Sequence, residues 1–126
     1  MSTTAVSREA RILGGLWGAL TGDALGVPVE FRNRDEVQAN PVTGMRGNGS
    51  HHQPKGTWSD DGSLIVCTVD SLLNEEFDTQ DIGRRFVSWI NDGLWTAHGR
   101  AAYSMTPSRF EQVPAEVAIG SLKKTV

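Results

Sequence analysis

Hydrophobic residues recur at helical spacing in three stretches of the chain, and we find no convincing stretch of strand-like alternation. The first stretch covers residues 8–26, the second begins at Asp60 or Asp61 and ends near Asn74, and the third covers residues 79–91. Within each, apolar residues return every three or four positions, which places them on one face of a helix. The pattern therefore predicts an all-α fold with three main helices.

A polar, glycine-rich segment separates the first two predicted helices. It runs from about Phe31 to Trp58 and contains an Asn-Pro pair and a Gly-Asn-Gly sequence, both typical of turns. We expect a long loop with one helical turn at residues 35–39. Loops of this length are usually functional or disordered.

The first predicted helix has small residues every four positions, at Ala10, Gly14, Gly18, Gly22 and Gly26. An interior glycine costs roughly 0.8–1.0 kcal/mol of helix stability relative to alanine. Close packing of another helix against this glycine strip is expected to offset that cost. A membrane helix pair has the same spacing, but the glycines and the acid Asp23 leave the stretch weakly apolar, so no membrane span is predicted.

Composition narrows the class of protein. The chain has 126 residues, a formal charge of −3 and 38% hydrophobic residues, which predicts one soluble globular domain. It has no basic stripe, so nucleic-acid partners are not expected. Cys67 is the only cysteine, and its apolar surroundings predict a buried free thiol. The N-terminus lacks the pattern of a secretory signal, which predicts a cytoplasmic protein.

Ser59, Asp60 and Asp61 stand together where the second predicted helix begins. One interpretation is a helix N-cap, with the two acids placed where the helix dipole favours negative charge. The other is a site for a hard cation, because a hydroxyl and two carboxylates supply oxygen ligands and a divalent ion removes their mutual repulsion. The residue pattern leaves both interpretations open.

Two further acids follow in the region where the first helix ends. Asp23 lies near the C-terminal end of that helix, where a negative charge is unfavourable. Glu30 follows Pro28, where the chain has left the helix and its carboxylate can turn back to the same place. Both positions favour a functional role. His51 and His52, by contrast, lie in the glycine-rich loop without zinc-helix spacing and are predicted to be a solvated pair.

Two sequences, GALTGDALGVPVEF at residues 18–31 and GTWSDDGSL at residues 56–64, occur in a recognisable order and separation. Together they resemble the N-terminal part of the ADP-ribosylglycohydrolase family, the enzymes similar to dinitrogenase reductase-activating glycohydrolase. The resemblance implies an all-α orthogonal helical bundle with two Mg²⁺ or Mn²⁺ ions at its centre. It also implies hydrolysis of the bond between C1 of the ribose in ADP-ribose and a protein side chain or small acceptor.

The resemblance assigns roles to five residues. Ser59, Asp60 and Asp61 match the metal ligands of the family, with serine in place of the commoner threonine. Glu30 matches the glutamate beside the metals or the substrate and is the candidate catalytic residue, which orients water or substrate. Asp23 matches an aspartate that lies one layer behind these groups. The implied partner is an ADP-ribosylated protein or a small-molecule ADP-ribosyl substrate.

The resemblance covers residues 8–100 and is followed by a divergent tail at 101–126. Family members are usually much longer and have a second metal motif, Asp-x-Asp-Thr/Ser, which does not occur in this sequence. We therefore expect a truncated or frameshifted N-terminal half-domain that is inactive by itself and self-associates through exposed apolar faces. The alternative is a non-catalytic remnant or module that binds metal or ADP-ribose weakly.

Overall fold

The computed structural model describes residues 5–97 as a helical chain, with no strand in that range. Two short 3₁₀ turns cover Val27–Val29, the first turn, and Gly49–His51, the second turn. The α-helices are α1 (Arg8–Gly26), α2 (Arg34–Ala39), α3 (Asp60–Asn74) and α4 (Thr79–Asp92). The all-α prediction is confirmed, and the three main helices agree with their predicted ranges. The predicted tail at 101–126 lies outside the described residues.

The described residues divide into two compact units, with the boundary between Gly56 and Thr57. The first unit contains α1, α2 and both 3₁₀ turns, and the second contains α3 and α4. The glycine-rich segment predicted as a loop therefore contains more local structure than its composition indicates.

Local capping explains where α1 and α2 begin. The Ser7 Oγ accepts a hydrogen bond from the Ala10 N–H at 3.1 Å, which satisfies one of the unpaired amides of the first turn of α1. At α2, the Asn33 side chain accepts from the Glu36 N–H at 2.9 Å and donates back to the Glu36 carboxylate at 2.8 Å. This reciprocal pair stabilises a helix of only six residues.

The glycine face of α1 is open within its own unit. A Cβ placed on Gly14, Gly18 or Gly22 meets no described atom within 4 Å. The other two main helices belong to the second unit. Their expected packing around this glycine strip therefore stays a prediction. The stretch Arg8–Val29 is long enough and apolar enough to span a membrane. Because the core helix of a soluble protein also meets this criterion, no membrane span is assigned.

The second unit is an α-hairpin with a small core between its two helices. Cys67 and Ser71 of α3 and Ile82 and Gly83 of α4 are buried. Gly93 ends α4 in the left-handed conformation, at φ 74°, which glycine adopts without steric penalty. The hairpin therefore has defined ends and one buried seam.

Arg85 joins the two helices of the hairpin through charged hydrogen bonds. Its Nε donates to Asp81 Oδ2 at 2.7 Å, and its Nη1 donates to Asp70 of α3. Ser71 Oγ also donates to Asp81 Oδ2, at 2.7 Å, and Trp95 Nε1 donates to Asp70 Oδ2 at 3.0 Å. Hydrogen bonds from Arg85 and Ser71 lower the pKa of Asp81 to about 2. Asp81 therefore stays ionised at neutral pH, and the network holds α4 against α3.

Replacing Ile82 by alanine is expected to destabilise the hairpin by about 2–3 kcal/mol, because it leaves a cavity in a small core. Urea unfolding followed by circular dichroism measures this loss. Ile12→Ala is the matched control, since its side chain is 53% exposed on α1, and its effect should stay within about 0.5 kcal/mol. Equal effects of the two substitutions would contradict the assigned core.

Candidate functional site

Ser59, Asp60 and Asp61 form the start of α3. The Ser59 side chain is 1% exposed, and its Oγ accepts a hydrogen bond from the Asp61 N–H at 3.1 Å. The Ser63 Oγ donates to the Ser59 carbonyl at 2.9 Å, which fixes the same turn from the inside. Asp60 and Asp61 are exposed. The N-cap interpretation is therefore confirmed, and the two acids complement the helix dipole.

Capping does not exclude a cation at the same three residues. The cap leaves both carboxylates exposed, and carboxylate oxygens are ligands for hard cations. Two carboxylates contribute two negative charges, against about half a positive charge at a helix N-terminus. The donor set is thus all oxygen and anionic, which is what Mg²⁺ and Mn²⁺ prefer.

The structure does not bring a larger ligand set together. Among residues 5–97, no group of three or more His, Cys, Asp or Glu side chains is close enough to hold a metal. Glu30 belongs to the first compact unit, whereas Ser59, Asp60 and Asp61 belong to the second. Their role as metal ligands, and their convergence with Glu30, stay predictions.

Glu30 follows the first 3₁₀ turn and is held at two points. The Ser50 Oγ donates to the Glu30 carbonyl at 2.6 Å. The His51 Nε2 lies 2.7 Å from the Glu30 Oε2, and the two side chains are 17% and 32% exposed, respectively. The second 3₁₀ turn therefore fixes both the backbone and the carboxylate of the candidate catalytic residue.

A glycine permits this close approach between the two 3₁₀ turns. Gly49 has φ 69°, and a Cβ at this position would lie 2.1 Å from the Pro28 carbonyl oxygen. Any other residue would push the second turn away from the first and move Ser50 and His51 with it. Gly49 is thus required by both its conformation and its contact.

The prediction of a solvated histidine pair is wrong for His51. Its ring is mostly buried and contacts Glu30, whereas His52 is exposed, with its backbone in the left-handed region at φ 53°. Sequence reasoning missed His51 because loop composition does not reveal a contact between residues 21 positions apart. The nearest signal was the Gly-Asn-Gly sequence just before it, which marks a turn without showing where the turn packs.

Asp23 lies in the last turn of α1 and is partly buried. Its backbone carbonyl accepts a hydrogen bond from the Val27 N–H, where α1 gives way to the first 3₁₀ turn. This places Asp23 and Glu30 in the same unit, on either side of that turn. The supporting role of the Asp23 carboxylate stays a prediction.

The described residues are all-α, with Ser-Asp-Asp at the start of α3 and Glu30 directly after the first 3₁₀ turn. The family model for ADP-ribosylglycohydrolases matches residues 4–120. The chain therefore belongs to the ADP-ribosylglycohydrolase family.

Curated relatives agree with this assignment. The ADP-ribosylarginine hydrolase Tri1 of Pseudomonas putida is 33% identical over 91 residues, which cover 71% of this chain and 24% of that protein. Tri1 of Serratia proteamaculans is 32% identical over 88 residues, covering 69% and 23%. The ADP-ribosylhydrolase ARH3 of Gallus gallus is 35% identical over 96 residues, covering 65% and 26%. The chain thus spans about a quarter of the length of these relatives. No solved structure gives a significant match.

Proposed function

We propose that the chain is the N-terminal part of a metal-dependent ADP-ribosylglycohydrolase that acts in the cytoplasm. The observation that carries this proposal is the Ser-Asp-Asp sequence in the first turn of α3 of a family member. The relatives named ADP-ribosylarginine hydrolase make an arginine-linked ADP-ribosyl group the first substrate to test. Other ADP-ribosylated proteins or small molecules are further candidates.

The proposed chemistry divides between two sets of residues. Ser59, Asp60 and Asp61 would hold Mg²⁺ or Mn²⁺, which supplies Lewis acidity and positive charge when bound. Glu30 orients a water molecule or a ribose hydroxyl through its carboxylate, and can accept a proton as water attacks C1. The bond between C1 and the acceptor breaks in this reaction, and the acceptor leaves with that electron pair and takes up a proton. Asp23 supports this arrangement from the end of α1.

A second candidate function is a module that binds metal or ADP-ribose without hydrolysing it. One observation favours it: the sequence contains no Asp-x-Asp-Thr/Ser, the second metal motif that the family resemblance implies for a complete enzyme. Binding without turnover would distinguish this module from an enzyme.

Millimolar Mg²⁺ is expected to raise the thermal stability of the chain and to change its tryptophan fluorescence, because Trp58 immediately precedes the proposed ligands. Asp60→Asn combined with Asp61→Asn should abolish both responses, since it removes both negative charges and leaves side chains of similar shape. Thermal denaturation and fluorescence titrations measure the two effects.

The control uses the other pair of adjacent acids at a helix start in the described residues. Asp35 and Glu36 occupy the first turn of α2, so Asp35→Asn combined with Glu36→Gln changes the net charge equally at an unrelated site. This double variant should keep the response to Mg²⁺. Equal loss in both double variants would show general charge screening and would contradict a specific site.

A further inference from the structure

Ser50 and His51 are consecutive residues that hold two different parts of Glu30. Ser50 bonds the backbone carbonyl, with Oγ to O at 2.6 Å, and His51 bonds the carboxylate, with Nε2 to Oε2 at 2.7 Å. The Nε2–H tautomer of His51 supplies the donor for this hydrogen bond, which the carboxylate oxygen accepts. The carboxylate plane is therefore fixed by a residue 21 positions away.

The second 3₁₀ turn is itself held in place, so His51 is a rigid donor. The Asn48 N–H donates to the Gln53 carbonyl at 2.7 Å, and the Gln53 side chain donates to the His51 carbonyl at 3.3 Å. The close contact of Gly49 with Pro28 fixes the same turn from the other side. These contacts stabilise one ring position for His51.

Backbone strain also concentrates beside Glu30. Phe31 has φ 61°, which is uncommon for an aromatic residue, and its side chain is 93% exposed. Its ring meets the His51 ring edge to face at 5.7 Å. Strain of this kind is often found at functional sites, where the surrounding structure maintains it.

One carboxylate oxygen of Glu30 remains for the reaction. Oε2 is bonded to His51, whereas no described residue gives a hydrogen bond to Oε1. The side chain is 32% exposed, so Oε1 can be reached by water or a ribose hydroxyl. A carboxylate fixed at one oxygen presents the other in a constant direction, which is what positioning of a reacting group requires.

We propose that His51 is a positioning residue for Glu30, which holds Oε2 so that Oε1 faces the substrate. The catalytic consequence rests on the proposed function, whereas the hydrogen bond and its effect on the Glu30 rotamer do not. Since a displacement of about 1 Å can reduce a rate by about a hundredfold, His51→Ala should lower kcat by about 10- to 100-fold with little change in KM.

The first experiment measures positioning without turnover. Side-chain NMR couplings of Glu30 should show one rotamer in the full chain and an average over rotamers in His51→Ala. His51→Gln should restore the single rotamer, because the glutamine amide can donate from nearly the same place as Nε2. His52→Ala is the matched control and should leave the couplings unchanged. Averaged couplings in the unmodified chain, or no change in His51→Ala, would overturn the proposal.

The second experiment separates this proposal from the proposed function. Release of ADP-ribose from ADP-ribosylarginine is followed with Mg²⁺ for the unmodified chain, His51→Ala, His51→Gln and His52→Ala. A fall in kcat for His51→Ala that His51→Gln recovers supports the proposal. Unchanged kcat in His51→Ala overturns it. If the unmodified chain releases no ADP-ribose, hydrolysis by the isolated chain is excluded, and the rotamer measurement alone decides the role of His51.

Discussion

The 126-residue chain is expected to release ADP-ribose from ADP-ribosylarginine at least about a hundredfold more slowly than its long relatives. In the proposed site it would contribute the oxygens of Ser59, Asp60 and Asp61, but its sequence has no Asp-x-Asp-Thr/Ser motif to supply opposing ligands. Ions held by these residues alone would bind weakly, and no opposing residues would place C1 of the ribose beside the attacking water. The rate of hydrolysis should fall more than the affinity for substrate, because hydrolysis also depends on the position of C1 relative to the attacking water.

The measurement compares initial rates of ADP-ribose release with Mg²⁺ or Mn²⁺ on arginine- and serine-linked substrates. Tri1 of Pseudomonas putida, a relative with about three times the length, serves as the reference. Rapid turnover by the isolated chain that disappears in Asp60→Ala and persists in Asp35→Ala would contradict the expectation. That result would mean that a second copy of the chain or a partner chain supplies the missing ligands.

Large apolar side chains that are exposed in the described residues favour self-association of the isolated chain. Several large ones are at least half exposed in the first unit or at the end of the hairpin, among them Ile12, Leu13, Trp17, Leu73 and Phe77. In a complete bundle, further helices would be expected to cover such side chains. Self-association of the isolated chain therefore stays a prediction, which light scattering at increasing concentration can test.

The helices could be predicted because their signals are local. Apolar spacing defined α1, α3 and α4, and capping residues marked their ends: Ser59 begins α3, and Pro28 follows α1. Each of these signals lies within a few residues of the feature it predicts. The result is agreement to within one residue at the described helix ends.

The hydrogen bonds of Ser50 and His51 to Glu30 could not be predicted, because they depend on packing between residues far apart in the sequence. The contact with His51 requires Gly49 in a left-handed conformation and its backbone against Pro28. Neither requirement produces a periodic pattern. At the start of α3 the difficulty was different, since the same hydroxyl and two carboxylates suit both a cap and a cation. The structure establishes the cap, and metal titration tests the cation.

The thiol of Cys67 is expected to react with a disulfide reagent at least about a hundredfold more slowly in the folded chain than in urea, at about pH 8. Its side chain is fully buried in α3 and donates a weak hydrogen bond to the Arg85 carbonyl, with Sγ to O at 3.7 Å. Burial, and then the nearby Asp70 carboxylate, raise the pKa of Cys67 from 9.0 to about 11, against a smaller opposing effect of Arg85. The higher pKa alone lowers the reactive thiolate fraction by about a hundredfold.

The matched control places a thiol on the outer face of the same helix. Cys67→Ser combined with Leu73→Cys moves the only cysteine to a position that is 79% exposed, and it should react nearly as fast as an unfolded chain. Because the buried thiol reacts only when α3 and α4 separate, Ile82→Ala should accelerate its labelling by roughly 30- to 150-fold, the factor that corresponds to a loss of about 2–3 kcal/mol. Rapid labelling of Cys67 in the unmodified folded chain would show that the hairpin opens freely, and would contradict the seam between Cys67 and Ile82.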